Sequence, residues 1–249
     1  MTARKRPHLV VLADAAALAH AAAKRISARL SPARARFAVC LTGGSTPERL
    51  YELLASKVYR NALPWDRTHW FWGDDRFVPP DDPRSNFGSA RRRLLDRVLV
   101  SSDNIHAIPT SAEDVEKAAC LYEAELHRFY GADRLATGHP LFDIVLMGVG
   151  ADGHTASLFP GRAELEEKER WVVGVHEAGL EPFVPRVTLT FPTLASTREM
   201  LFLVDGVTKR SVLSCLLAGA DLPAARVYSE GDLVWLVDRE AAPEHHDGA

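Results

Sequence analysis

The sequence predicts an α/β fold: one domain built on a mainly parallel sheet with helices over both faces. Three observations carry this expectation. Short apolar runs alternate with segments of helical spacing along nearly the whole chain, the pattern of strands buried on both faces. Residues 37–57 show the unit in miniature, with an apolar run, a glycine turn and then leucines three and four apart. No internal repeat, low-complexity linker or composition shift marks a boundary. The chain therefore reads as a single domain over 1–240, followed by a polar tail at 241–249 in which fraying is expected from Ala241 onward.

Taken in order, Leu9–Leu12 suits a strand, and Ala13–Leu30 carries helix-forming residues with Asp14 as an early cap. Phe37–Leu41 is the next strand. Residues 43–47 interrupt the chain, and Glu48–Lys57 resumes helical spacing, with Pro47 where a first turn tolerates it. Further strands are expected at His69–Trp72, Phe142–Met147, Arg186–Thr190, Met200–Val204 and Leu233–Val237. Helices are expected at Asn86–Val98, Ala112–Tyr130 and Val207–Leu217.

Composition narrows the function classes. A formal net charge of −3 over 249 residues gives no basic field to hold nucleic acid or an anionic membrane. The alanine-rich run after the basic Met1–Pro7 segment is broken by Asp14, His20, Lys24 and Arg25, so it is neither a signal peptide nor a membrane span. Cys40, Cys120 and Cys215 are too far apart for a disulfide framework or a CxxC metal site. They read as buried thiols of a cytoplasmic protein.

In an open parallel sheet, ligands bind beyond the carboxyl ends of the strands, so the residues just after each apolar run are the informative ones. The first such segment is 41–47. Gly43 and Gly44 let the backbone approach a ligand, Ser45 and Thr46 offer hydroxyls and N–H groups, and the following helix points its positive end at the turn. Phosphate is the natural guest. No Walker A pattern fits, and an ordinary helix cap by Ser45 or Thr46 weighs equally on local features.

The second segment is 72–86, where an apolar run ends in Asp74, Asp75 and Arg76. A spacing of two puts Asp74 and Arg76 on one side of a continuing strand, where the arginine holds an anionic or polar oxygen and the aspartate orients it or takes a proton. Solvated turn residues are the plainer reading. Ser85 and Asn86 read as a helix cap.

The third segment is 142–161. Gly148, Gly150 and Gly153 satisfy G-x-G-x-x-G after a strand, but Phe159-Pro160-Gly161 breaks any helix early, and no acid ends a following strand at the required distance. A dinucleotide site is not expected. What remains is a glycine-lined turn presenting Asp152 and His154, a candidate general base with a carboxylate close in sequence. A lone histidine is more often structural, but one in a polar glycine-rich turn at a strand's carboxyl end is a better candidate than most. Arg186 precedes the apolar run at 187–190 and Lys209 follows residues 205–208 at the start of a helix. Each can add charge to an anion site, and a solvated side chain is the plainer reading of either. The paired His245 and His246 lie in the tail, and no metal is required.

Together, LTGGSTP at 41–47, WGDDRFVPPDDPRSNFG at 72–88, FDIVLMGVGADGHTASLFPG at 142–161 and RVTLTFPTL at 186–194 with VTKR at 207–210 resemble the 6-phosphogluconolactonase family. That family sits in a larger group with glucosamine-6-phosphate isomerase/deaminase. The resemblance implies a three-layer α/β/α sandwich of modified Rossmann type. It also implies hydrolysis of 6-phospho-D-glucono-1,5-lactone, in the oxidative pentose phosphate pathway, without a cofactor.

Position by position, the resemblance implies that Gly43, Gly44, Ser45 and Thr46 bind the sugar phosphate, with Lys209 and Arg186 supplying charge. It makes His154 the base that activates water and Asp152 its orienting carboxylate. Asp74 and Arg76 match the family's acid-x-Arg pair near the lactone. Asp75 stands where the family often has glutamate. The implied partner is a small sugar-phosphate lactone, with no nucleic acid or membrane, on a monomer or small homo-oligomer.

Two rivals remain. An isomerase or deaminase would carry Asp-Glu-Tyr near 74–76 and an Asn-Glu pair after His154, where this chain has Asp-Asp-Arg and Ser157-Leu158. A sugar-phosphate sensor would carry a DNA-binding segment, for which about eight residues before the first strand leave no room.

Overall fold

The computed structural model describes residues 7–30 and 34–243. The chain opens with β1 (His8–Leu12), α1 (Ala15–Arg29), β2 (Phe37–Leu41), α2 (Ser45–Leu54), α3 (Lys57–Arg60), β3 (Thr68–Trp72), β4 (Asp74–Arg76) and α4 (Asn86–Arg93). It continues with α5 (Val115–Tyr130), β5 (Ile144–Met147), β6 (Val172–Val175), β7 (Arg186–Leu189) and α6 (Phe191–Ala195). Last come β8 (Glu199–Val204), α7 (Arg210–Leu217), α8 (Pro223–Arg226) and β9 (Asp232–Asp238).

Six strands form a wholly parallel sheet in the order β1-β9-β8-β5-β2-β3. Of its four inner strands, β2, β5 and β8 are buried at every position and β9 at all but its first, as a sheet covered on both faces requires. The expected single-domain α/β/α sandwich is what forms. The chain contains a second layer of pairing as well. Strands β4, β7 and β6 make a small antiparallel sheet, against which α5 packs. The run at 186–190, expected beside the other strands, belongs to this second sheet, and β6 was not anticipated.

Only Gly73 separates β3 from β4. Its N–H donates to Leu41 O of the large sheet at 2.9 Å, and its carbonyl accepts from Leu189 N of the small sheet's segment at 2.8 Å. One residue thus carries the hydrogen-bond ladder from the parallel sheet to the antiparallel one.

Capping explains where the helices depart from their expected bounds. Asp14 accepts from Ala17 N at 2.8 Å and Asp114 from Lys117 N at 2.7 Å, so α1 and α5 start immediately after these residues. Gly131, at φ 88°, ends α5 in the left-handed conformation. Helix α4 stops at Arg93 because Leu94 leaves helical geometry and a 3-10 turn over Leu95–Arg97 follows. Residues 207–209 likewise form a 3-10 turn before α7.

Two further expectations need correction. Cys40 is buried, but Cys120 and Cys215 are exposed, because each falls on the outer face of its helix, α5 and α7. Ala241 is fully buried and its N–H donates to Asp238 Oδ1 at 2.8 Å, so the chain does not fray from there. His245 and His246 lie outside the described residues. Among the described residues, no helix is long and apolar enough to cross a membrane.

Asp75 is 1% exposed and closes the loop between β4 and α4. It accepts from Arg76 N at 2.8 Å, Asn86 N at 2.6 Å, Phe87 N at 2.9 Å and Ser85 Oγ at 3.2 Å. Burial pushes its carboxyl up to about 6, against the downward pull of the Phe87 and Asn86 N–H groups. Asp75→Ala strands these buried donors, and at roughly 1–3 kcal/mol for an unsatisfied buried group we expect a loss of about 3 kcal/mol or more in urea unfolding. A midpoint within error of the unaltered protein would show that the loop is held elsewhere.

Beside β3, His69 Nδ1 lies 2.9 Å from His106 Nε2, and His106 Nδ1 lies 2.6 Å from Glu125 Oε1. Burial, then the His106 charge, pushes His69 down to about 4. The unfolded chain, with an ordinary histidine near 6.5, binds more protons than the folded one between these values. The contribution of His69 to stability therefore falls as pH drops from about 6.5 toward 4. In His69→Gln this slope should be shallower, measured as unfolding free energy at pH 4.5 and 7; an unchanged slope would assign it to other groups.

Candidate active site

A pocket of about 270 Å³ opens at the carboxyl edge of the parallel sheet. It gathers residues from the turns after β2, β3, β5 and β8 and from the start of β7. Of the residues singled out from the sequence, Gly43, Gly44, Ser45, Thr46, Asp74, Arg76, His154, Arg186 and Lys209 all line it. Asp152 does not line it and stands behind His154.

One end of the pocket is built from the turn before α2. Gly44 is the N-cap with φ 99°, a backbone region that favours glycine. No side chain caps the helix, so the simple cap expected as an alternative is absent, and the N–H groups of the first turn remain directed outward. Thr46 does not offer its hydroxyl to the pocket, since Oγ1 donates to Asp205 Oδ1. The turn is fixed from beneath by the buried Tyr51, whose hydroxyl accepts from Thr42 N at 3.1 Å and donates to Thr42 O at 2.6 Å.

Lys209 approaches this end from the 3-10 turn after β8. Its Nζ donates to Val149 O at 2.7 Å, leaving two further protons for a ligand. Burial draws its ammonium below the usual lysine range, against the opposing effect of Asp205. The cation thus joins two loops of the pocket and adds positive charge to both.

Arg76 and Arg186 are directly paired across β4 and β7. Arg186 is 3% exposed, and burial lowers its guanidinium from the usual range, with Asp74 pulling the other way. Its Nη2 donates to Leu180 O and Pro182 O, both at 3.1 Å. Arg76 Nη1 donates to Arg84 O at 2.6 Å. Both Nε atoms are buried without a partner. Two adjacent cations bound to neutral carbonyls, with donors to spare, form an electrostatic site for an anion.

The third wall is the loop after β5. No helix follows Gly148, so the dinucleotide pattern lacks its structural context. The loop instead folds back on itself. Gly150 N donates to His154 O at 2.8 Å, and Thr155 Oγ1 donates to Gly148 O at 2.8 Å. A β-carbon on Gly150 would lie 2.0 Å from His154 Nδ1, so glycine there makes room for the ring. His154 Nδ1 meets Asp152 Oδ1 at 2.5 Å, and the ring packs on Phe159 with centroids 4.6 Å apart. Burial pushes Asp152 upward, but its bonds with His154 outweigh this and hold it below the usual range. A carboxylate at Nδ1 selects the tautomer with its proton there, which leaves Nε2 with a lone pair.

Three polar residues of the site escaped the sequence reading. Asp205 binds Thr46. Ser157 Oγ donates to Asp74 Oδ2 at 2.6 Å. Asn86, read as a cap residue, donates from Nδ2 to Asp74 O at 2.9 Å. Asp74 is thus held by neutral donors rather than by a surface ion pair with Arg76. A short polar residue three positions after a candidate base is the one hint the sequence contained for Ser157.

The family described as glucosamine-6-phosphate isomerases/6-phosphogluconolactonase matches residues 13–235. A protein of Synechocystis sp. named 6-phosphogluconolactonase is 40% identical over 94% of this chain and 97% of its own length. One of the same name from Streptomyces coelicolor is 37% identical over 96% and 94% respectively. The crystal structure of 6-phosphogluconolactonase from Thermotoga maritima superposes with a TM-score of 0.80 at 34% identity, covering 94% of this chain and all of that one. The chain belongs to the glucosamine-6-phosphate isomerase/6-phosphogluconolactonase family.

Proposed function

We propose that this protein hydrolyses 6-phospho-D-glucono-1,5-lactone to 6-phospho-D-gluconate, with water activated by His154. The observation that carries the reading is one pocket with an oriented imidazole on one wall and an uncapped helix start with a lysine on another. The names of the similar proteins support the substrate class. The reaction is the second step of the oxidative pentose phosphate pathway.

The phosphate sits on the N–H groups at Gly44, Ser45 and Thr46 and on Lys209. Its binding energy holds the lactone carbonyl beside His154. Nε2 removes a proton from water as the oxygen attacks C1, while Asp152 stabilises the imidazolium that forms. Arg76 and Arg186 supply the positive potential for the oxyanion. Collapse of the tetrahedral intermediate breaks the bond from C1 to the ring oxygen, which receives the proton back from His154. Asp74 accepts from a sugar hydroxyl and fixes the ring. A cyclic ester is activated enough for this set of groups, so neither a covalent nucleophile nor a cofactor enters the proposal.

The isomerase reading would require an Asn-Glu pair soon after the histidine. Ser157 and Leu158 stand there instead, and Ser157 spends its hydroxyl on Asp74, which disfavours that chemistry.

The deciding assay is hydrolysis of the lactone generated in situ, corrected for spontaneous opening, beside glucosamine 6-phosphate. Acceleration of the lactone alone is expected; turnover of the amino sugar would overturn the reading. His154→Ala should lower kcat by about 10²–10⁴-fold with KM nearly unchanged, and a near-normal kcat would remove His154 as the base. Lys209→Ala should chiefly raise KM, by roughly tenfold or more for a lost bond to a charged group. An unchanged KM would move the phosphate elsewhere.

A further inference from the structure

Asp74 is 4% exposed, and the side chains that hold it come from segments far apart in the sequence. Ser157 lies on the loop that carries His154, is 1% exposed, and reaches Oδ2 at 2.6 Å. Its N–H donates to Thr188 Oγ1 at 3.2 Å, so the hydroxyl approaches from a fixed backbone. Asn86 opens α4 and is 3% exposed. Its Nδ2 donates to Asp74 O at 2.9 Å and lies 3.4 Å from Asp74 Oδ1.

Two acceptors on one side fix the amide with nitrogen toward Asp74, which turns Oδ1 the other way. There a β-carbon on Gly43 would stand 1.8 Å from Oδ1. The amide therefore occupies the space a side chain at Gly43 would need, and Oδ1 is buried without a partner. A continuous buried series runs from the His154 loop through Ser157, Asp74 and Asn86 to the anion-binding turn.

Neither Ser157 nor Asn86 has a part in making or breaking bonds in the proposed reaction. We infer that both are positioning residues: together they lock the Asp74 carboxylate toward the bound sugar and set its spacing from the turn that holds the phosphate. A free carboxylate rotates about its side-chain bonds; one held at Oδ2 by a 2.6 Å bond and flanked by an amide does not. The inference rests on the role given to Asp74 under the proposed function.

A merely structural role would cost the same whether or not Asp74 is present, and a double-mutant cycle separates the two. The probe is 6-phospho-D-gluconate, titrated by calorimetry into each folded variant. Ser157→Ala and Asn86→Ala should each weaken its Kd by roughly tenfold, the factor for about 1.4 kcal/mol, and lower kcat/KM alongside. In the Asp74→Ala background each should change Kd by less than about twofold. Equal losses in both backgrounds would overturn the inference.

If either alanine variant does not fold, Ser157→Cys, close in size but a weak donor, and Asn86→Ser, suited to a first helical turn, are read the same way. Lactone hydrolysis by the unaltered protein is measured in parallel. Its absence with intact binding would overturn the proposed reaction while the cycle still decides the positioning role; absence of both binding and hydrolysis would overturn both.

Discussion

The peptide groups of Gly73 are the constraint on which the site depends. By donating to Leu41 O and accepting from Leu189 N, they bind two sheets of opposite type at a single residue. The parallel sheet must end its strands at one edge, and the junction turns the chain there so that Asp74, Asp75 and Arg76 run across that edge as a strand of their own. Arg186 then arrives opposite Arg76 by pairing register alone. Asp75, turned inward, gathers Ser85, Asn86 and Phe87 and so delivers Asn86 to the neighbourhood of Gly43. The arginine wall of the pocket, and the placing of Asn86 beside it, follow from one change of sheet.

The electrostatic character of the pocket follows from what the fold leaves unpaired. Elsewhere buried charges meet partners: Glu199 accepts from Arg25 and Arg29, and Asp143 accepts from Arg34 and forms an ion pair with Arg198. At the pocket, Arg186 is bound to carbonyl oxygens and Lys209 to Val149 O. Neutral acceptors position these cations without cancelling their charge. Donors held in this way are preorganised for an anion, and the folded protein bears the desolvation of these groups.

Much of this was legible in the sequence because it is local. Strand cores at 37–41 and 200–204, the cap at Asp14, the glycine turn and the Asp152–His154 pair each depend on residues a few positions apart. What was not legible depends on pairing at long range. Strand β6 has an ordinary apolar composition, and nothing within it says that β7 will lie beside it in reverse direction. Ser157 and Asn86 look like turn and cap residues until the fold brings them 83 and 12 positions back to Asp74. Cys120 and Cys215 were misread because apolar neighbours in sequence surround a helix on all sides, whereas burial selects one face.

Strand β1 sits at the rim of the parallel sheet, and among the described residues its ladder partner is β9. The register joins His8 to Val234 and Leu12 to Asp238, so this pairing spans nearly the whole chain. During synthesis at about 5–20 residues per second, β1 emerges on the order of ten seconds or more before the segment that completes its hydrogen bonds. In the interval its backbone is an open template, and the helix that follows it must hold it near a sheet whose rim does not yet exist. Strand β9 thus covers an edge that β1 presents throughout that interval, a delay set by the ribosome's pace.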